Sequence, residues 1–182
     1  QHFFPAWDQL VRWTGVTEAL TDLVMRPDFI HAIMRRMTDA MLARMTQMQE
    51  QGLLDGGHAL ARVGSGAASY TDELPQDGFD PAHVRLCDQW GGATAQIFGE
   101  VSPAMQEEFD ILPLKPLLER YGLVYYGCCE PLHNKIDIVR KISNVRKISV
   151  SPWANKEQAA REIHGDYVFS AKPNPSYVAM GS

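Results

Sequence analysis

The sequence predicts an α/β domain built from consecutive parallel strand–helix units. Three observations predict it. The last third alternates β-branched and aromatic runs with amphipathic runs, giving strand, helix, strand, helix, strand at about 20–25 residues per unit. Those strand-like runs carry few charges, the pattern of a sheet covered by helices. No low-complexity linker divides the 182 residues, 45% of them hydrophobic, which suits one domain with a real core.

The elements follow in order. Residues 28–51 form the clearest helix, because Phe29, Ile30, Ile33, Met34, Met37, Met41, Leu42, Met45 and Met48 recur at helical spacing. Pro27 sits at a tolerated first-turn position, Asp28 suits the positive helix N-terminus, and Gly52 is a plausible stop. The methionine stripe reads as a face packed on a sheet, the alternative being an adaptable binding face. Residues 59–63 are a strand candidate ending in Gly64-Ser65-Gly66, and residues 86–99 are mostly helix-compatible despite Gly91-Gly92. Ser102 caps a helix with Pro103 at its first position, and Pro113 and Pro116 kink or break it before Tyr121. Then come a strand at 123–126, a loop, a short helix at 136–142 and a strand at 146–150. Asn155 caps a helix over 156–163, and a last strand covers 167–171 before Lys172-Pro173-Asn174-Pro175.

A dinucleotide-binding sheet is disfavoured, since Gly64-Ser65-Gly66 lacks a third glycine and a clear helix after it. The reading is part of a TIM-type (β/α)8 barrel. Four strands are visible where a closed barrel has eight and about 250 residues, so residues 1–182 are expected to be one partial barrel domain, truncated at both ends. Exposed sheet edges make a homo-oligomer one expectation.

A net charge of -5 disfavours a nucleic-acid partner and a polybasic membrane anchor. No segment approaches the roughly 18–20 apolar residues of a membrane helix. Three cysteines, Cys87 and the adjacent Cys128 and Cys129, make a poor disulfide framework, so a reduced, cytoplasmic protein is expected.

In βα units chemistry sits after the C-terminal ends of strands. Cys128, Cys129, Glu130 and His133 put two thiols, a carboxylate and an imidazole within six positions of such an end. Thiolate and imidazole suit zinc, so Cys128, Cys129 and His133 are candidate metal ligands. The alternatives are a cysteine buried as a small hydrophobe and a histidine that caps the next helix. Lys172 suits a carboxylate or phosphate, or a rim ion pair. Trp153 suits a wall for a flat ligand, or packing under a loop. Tyr70, Asp72 and Glu73 offer acid–base groups, or a solvated turn before Pro75.

Asp88-Gln89-Trp90-Gly91-Gly92, Val101-Ser102-Pro103-Ala104-Met105, Glu108-Phe109 and Leu112-Pro113-Leu114 resemble a stretch of the uroporphyrinogen decarboxylase superfamily. Arg26-Pro27-Asp28-Phe29-Ile30-His31 is similar to that family's Pro-started helix. The segments at 126–135 and 150–155 resemble one of its branches. The resemblance covers nearly the whole chain. It implies a TIM barrel and one of two chemistries: cofactor-free decarboxylation of a tetrapyrrole, or methyl transfer between a corrinoid and a thiol, commonly with zinc. The implied partner is a small molecule or a corrinoid protein. In the methyltransferases a His-x-Cys pair at a strand end and a later cysteine bind zinc. Here the matching stretch is Gly127-Cys128-Cys129, or Tyr126-Gly127-Cys128 if shifted by one; either way a cysteine is kept and the histidine is replaced, and no later cysteine follows, leaving Glu130 or His133 as substitutes. The resulting assignment gives Cys129, Glu130, Tyr70 and Asp72 catalytic roles, and substrate binding to Lys172, Asn174, Trp153 and Asp88. A non-catalytic tetrapyrrole- or corrinoid-binding module is the third reading.

Overall fold

The computed structural model describes residues 2–56, 62–65 and 67–181. Strand β1 (His2–Phe4) leads into α1 (Ala6–Thr14), α2 (Val16–Met25) and α3 (Pro27–Glu50). A short antiparallel pair, β2 (Arg62–Val63) and β3 (Ala67–Ala68), precedes β4 (Trp90–Ala93). Then come α4 (Pro103–Gln106), α5 (Leu112–Leu118), β5 (Leu123–Tyr126), α6 (Ile136–Val139), β6 (Val145–Val150), α7 (Lys156–Ile163), β7 (Val168–Ala171) and α8 (Pro175–Ala179).

Five strands form one wholly parallel sheet in the order β1-β4-β5-β6-β7. Three of them occupy the strands expected near 123–126, 146–150 and 167–171. The strand expected over 59–63 does not join this sheet: its described residues, Arg62 and Val63, pair antiparallel with Ala68 and Ala67, and positions 59–61 lie outside the described residues. Two sheet strands escape the sequence pattern. β1 has three residues before Pro5, and β4 contains Gly91-Gly92 where a helix-compatible run was expected. Those glycines permit close approach. A Cβ on Gly91 would lie 2.5 Å from the Tyr121 ring, and one on Gly92 2.7 Å from the Phe3 ring.

The two faces of the sheet differ. Val124, Tyr126, Ile148 and Val150 point into the main core, with Trp7, Leu10, Ile30, Met34 and Met45 from the helices. The methionine stripe of α3 is therefore a packing face, and Tyr121 donates its hydroxyl hydrogen bond to Met45 Sδ at 3.0 Å. Each fully buried large apolar side chain contributes about 2–3 kcal/mol. On the opposite face, Trp90, Leu123 and Tyr125 pack with Val63 and Leu74.

That second face is covered by a strap, residues 62–65 and 67–76, running against the strand direction. Ser65 meets Lys172, just beyond the end of β7; Ala68 O accepts from Lys147, early in β6; and Ser69 O accepts from Trp90 Nε1 at 3.0 Å, at the start of β4. Gln76 N then donates to Asp88 Oδ1 at 3.2 Å, before β4 begins.

The helix begun at Ser102 is capped as expected, Ser102 Oγ accepting from Met105 N at 3.3 Å. It does not break at Pro113. A wide π-helical turn over Glu107–Ile111 joins α4 to α5, and the helix runs past Pro113 and Pro116. Pro113 has no N–H for the Phe109 carbonyl four residues back. Trp7 Nε1 donates to that carbonyl at 3.0 Å instead. Asn155 caps α7 by accepting from Gln158 N at 3.0 Å.

Candidate functional site

The loop after β5 is held by a tight turn. Gly127 adopts φ 97°, a left-handed conformation that favours glycine, and its N–H donates to Ala93 O at 2.8 Å. A Cβ there would lie 2.5 Å from Leu132 Cδ1. This turn delivers Cys128 and Cys129 to the carboxyl edge of the sheet, with their sulfurs 3.5 Å apart. Cys128 is half-buried and Cys129 exposed.

Glu130 folds back beneath the loop and is 2% exposed. Oε1 accepts from Thr94 Oγ1 at 2.7 Å and Ala95 N at 3.2 Å, and Oε2 accepts from Cys128 N at 2.9 Å. These bonds tie the β4 and β5 loops together, and Glu130 lies beneath the exposed lip rather than at it. The Cys128 carbonyl is equally engaged. It accepts from Ser149 Oγ at 2.8 Å and from Lys172 Nζ at 2.6 Å, and Lys172 also donates to Ser65 Oγ. One ammonium thus joins the ends of β5 and β7 to the strap.

Partial desolvation, Cys128 and Glu130 raise the Cys129 thiol, with Lys172 pulling the other way. Cys129 is therefore a protonated thiol at neutral pH, a proton donor rather than a ready thiolate.

The other expected site residues fall in different places. Trp153 lies in the loop after β6 and is 70% exposed, so it stands clear of the core. Asn174 caps α8, its Oδ1 accepting from Ser176 N at 3.0 Å. Tyr70 and Asp72 are exposed on the strap beyond Ser69, toward the amino end of the strands and away from the thiols. Asp88 is also at that end and fully buried. It accepts from Arg85 N at 2.9 Å, Arg85 Nε at 2.9 Å and Arg85 Nη2 at 2.8 Å, and these bonds hold its carboxyl below the usual range. Its oxygens are engaged by Arg85 and the Gln76 backbone.

The candidate zinc ligands do not assemble as a set. Among the described residues no three His, Cys, Asp or Glu side chains converge as metal ligands. A catalytic zinc takes three protein ligands and an open position. The residues present therefore do not fit that centre: Cys128 and Cys129 offer two donors, Glu130 is engaged with the loop, and His133 does not complete the set.

Sequence reasoning missed Thr94 and Ser149, whose contacts with this loop span 36 and 21 positions of chain, and the contact of Ser65 with Lys172 across 107. It also missed a buried acid under the site. Tyr126, one residue before Gly127, donates its hydroxyl to Asp110 Oδ2 and accepts from Gln106 Nε2 at 2.9 Å. Burial raises the Asp110 carboxyl to about 7; Glu130 and Asp8 push the same way, and the hydrogen bonds with Tyr126 and Gln106 oppose them. The π-helical turn that places Asp110 is the only local signal, since such turns often mark special sites. A separate groove of about 400 Å³ lies on the helix side, lined by His31, Arg35, Leu42, Glu108 and Pro116 among others. It takes no residue from the strand ends.

No family model matches this chain, and neither curated proteins nor solved structures supply a match. Among the described residues no helix is long and apolar enough to cross a membrane.

Proposed function

We propose that this chain carries strand-end machinery of a (β/α)8 enzyme of the uroporphyrinogen decarboxylase superfamily, and that it moves a methyl group between a corrinoid and a thiol acceptor. The observation that supports this reading is the meeting, at the carboxyl edge of a parallel sheet, of two adjacent thiols with an ammonium group bonded into the same loop. Parallel βα folds place their chemistry at that edge. The motifs resembling the superfamily supply the reaction class.

In this reading Lys172 exchanges its bonds to Cys128 O and Ser65 Oγ for an anionic group of the incoming molecule. Cys129, exposed and protonated, contacts the reacting thiol. Glu130 and Ser149 hold the loop so that both contacts are made from a fixed backbone. No step is assigned to a metal, because the residues present supply two soft donors and not three.

A second reading, decarboxylation of a porphyrinogen, is favoured by Lys172. A lone ammonium at a strand end matches a substrate carboxylate, and that reaction requires neither thiol. Incubation with a methylated corrinoid and a small thiol, followed through the corrinoid visible spectrum, separates the two. Transfer that is abolished in Cys129→Ser, with the far-UV spectrum unchanged, supports the methyltransferase. Unaltered transfer in that variant removes the thiol from the mechanism. Chelator-insensitive carbon dioxide release from uroporphyrinogen, without methyl transfer, establishes the second reading. A spectral shift on corrinoid binding with neither reaction identifies a binding module.

A further inference from the structure

We propose that Cys128 and Cys129 form a redox modification site, a dithiol that a small disulfide oxidant closes into a reversible vicinal disulfide. The inference stands independently of the reaction catalysed. Three observations carry it. The two sulfurs already lie 3.5 Å apart, so closure to a bond of about 2.05 Å requires a short movement. Cys129 is exposed to an oxidant while Cys128 is half-buried beside it, the arrangement of an attacking and a resolving thiol. The third cysteine, Cys87, precedes the buried Asp88 at the amino end of the sheet and is no competing partner for either.

The steps balance. Burial and Cys128 keep most of Cys129 protonated, so the thiolate fraction, which grows at alkaline pH, attacks one sulfur of the oxidant; a mixed disulfide forms, and the first oxidant thiol leaves carrying the proton Cys129 gave up. The Cys128 sulfur then attacks the Cys129 sulfur, the intrachain bond forms, and the second oxidant thiol leaves with the second proton. Two protein thiols lose two electrons and two protons, and one oxidant disulfide becomes two thiols.

The ring is a switch rather than a staple. Neighbouring Cα atoms are about 3.8 Å apart across a trans peptide, shorter than the roughly 4.4–6.8 Å that disulfides prefer. A strained, exposed disulfide is readily reduced. Closing it turns the peptide between the two cysteines, and the carbonyl of that peptide holds Ser149 Oγ at 2.8 Å and Lys172 Nζ at 2.6 Å. Oxidation therefore releases Lys172 from the loop and changes the position of the cation at the strand ends.

The test is mass spectrometry of the full chain after treatment with oxidised glutathione, with remaining thiols alkylated in denaturant. The expected result is alkylation at Cys87 alone, no retained glutathione, and recovery of all three thiols after dithiothreitol. Cys128→Ser, which lacks the resolving sulfur, should instead retain glutathione at Cys129. In the same samples, acetylation of Lys172 should proceed faster in the oxidised wild type than in the reduced one. A stable mixed disulfide at Cys129 of the wild type, a crosslink between chains, or two thiols that stay reduced would each overturn the proposal. An unchanged Lys172 rate in a closed ring would overturn its consequence for the site.

Discussion

Asp110→Asn should stabilise the protein at pH 8 and leave it nearly unchanged near pH 4. Asp110 is fully buried, and burial raises its carboxyl from the ordinary 3.8 to about 7. Across that interval the unfolded chain has lost the proton while the native protein still holds it. Native protein therefore binds more protons, and stability falls as pH rises from about 4 to about 7. Three pH units at about 1.36 kcal/mol each set a ceiling of about 4 kcal/mol on the stability lost by pH 8. Asparagine keeps an acceptor for the Tyr126 hydroxyl, carries no charge, and places its amide beside Gln106, whose buried Oε1 has no partner among the described residues. Urea unfolding of both proteins at half-unit steps from pH 4 to pH 8 measures the difference. The wild-type curve should fall relative to the variant across this window, the gap reaching about 2–4 kcal/mol at the alkaline end. Parallel curves would show that Asp110 titrates alike in both states and would refute the argument.

Three further substitutions probe how the loop and strap are held. Gly127→Ala should cost roughly 2–4 kcal/mol in urea unfolding, from a left-handed φ of 97° and a Cβ 2.5 Å from Leu132 Cδ1; a wild-type midpoint would contradict the turn geometry. Arg85→Ala leaves the buried Asp88 carboxylate without its guanidinium partner and should lower the urea midpoint at pH 7. Because pairing lowers Asp88, that loss should shrink as pH falls below the ordinary carboxylate range, and a pH-independent loss would count against the pairing. Trp90→Phe removes the Nε1 bond to Ser69 O and leaves a smaller, weaker aromatic face under Lys147 Nζ, which overlies the indole at 4.9 Å; a cost of about 1–2 kcal/mol in thermal melts is expected, and no change would show that the strap does not depend on it.

The parts of the fold legible in the sequence are those where one local rule dominates. The runs at 123–126 and 145–150, buried except at Arg146, are rich in β-branched and aromatic residues, and the methionine spacing of α3 is long enough to be unambiguous. β4 was illegible because its glycines are chosen for what approaches them, Tyr121 and Phe3, and not for strand propensity. The helix through Pro113 was illegible because Trp7, far away in the chain, satisfies the carbonyl that proline leaves open. For the site, the strand-end rule selected Cys128, Cys129 and Lys172 correctly as neighbours of one edge. It misplaced Tyr70 and Asp72, because nothing local reveals that the strap runs against the strands and carries them to the opposite end. Nor does anything local reveal that the Glu130 oxygens accept from Thr94, Ala95 and Cys128.

The proposed methyl transfer belongs to the carboxyl edge, in the Cys129–Lys172 neighbourhood. The most direct measurement is methyl transfer from a methylated corrinoid to a thiol by Cys129→Ser, Lys172→Met, Tyr70→Phe and Asp72→Asn, assayed side by side with the wild type. A loss of at least about two orders of magnitude is expected in the first two variants, with near wild-type rates in the last two. Activity retained at the edge and lost with Tyr70 or Asp72 would place the chemistry at the other end of the sheet and contradict it.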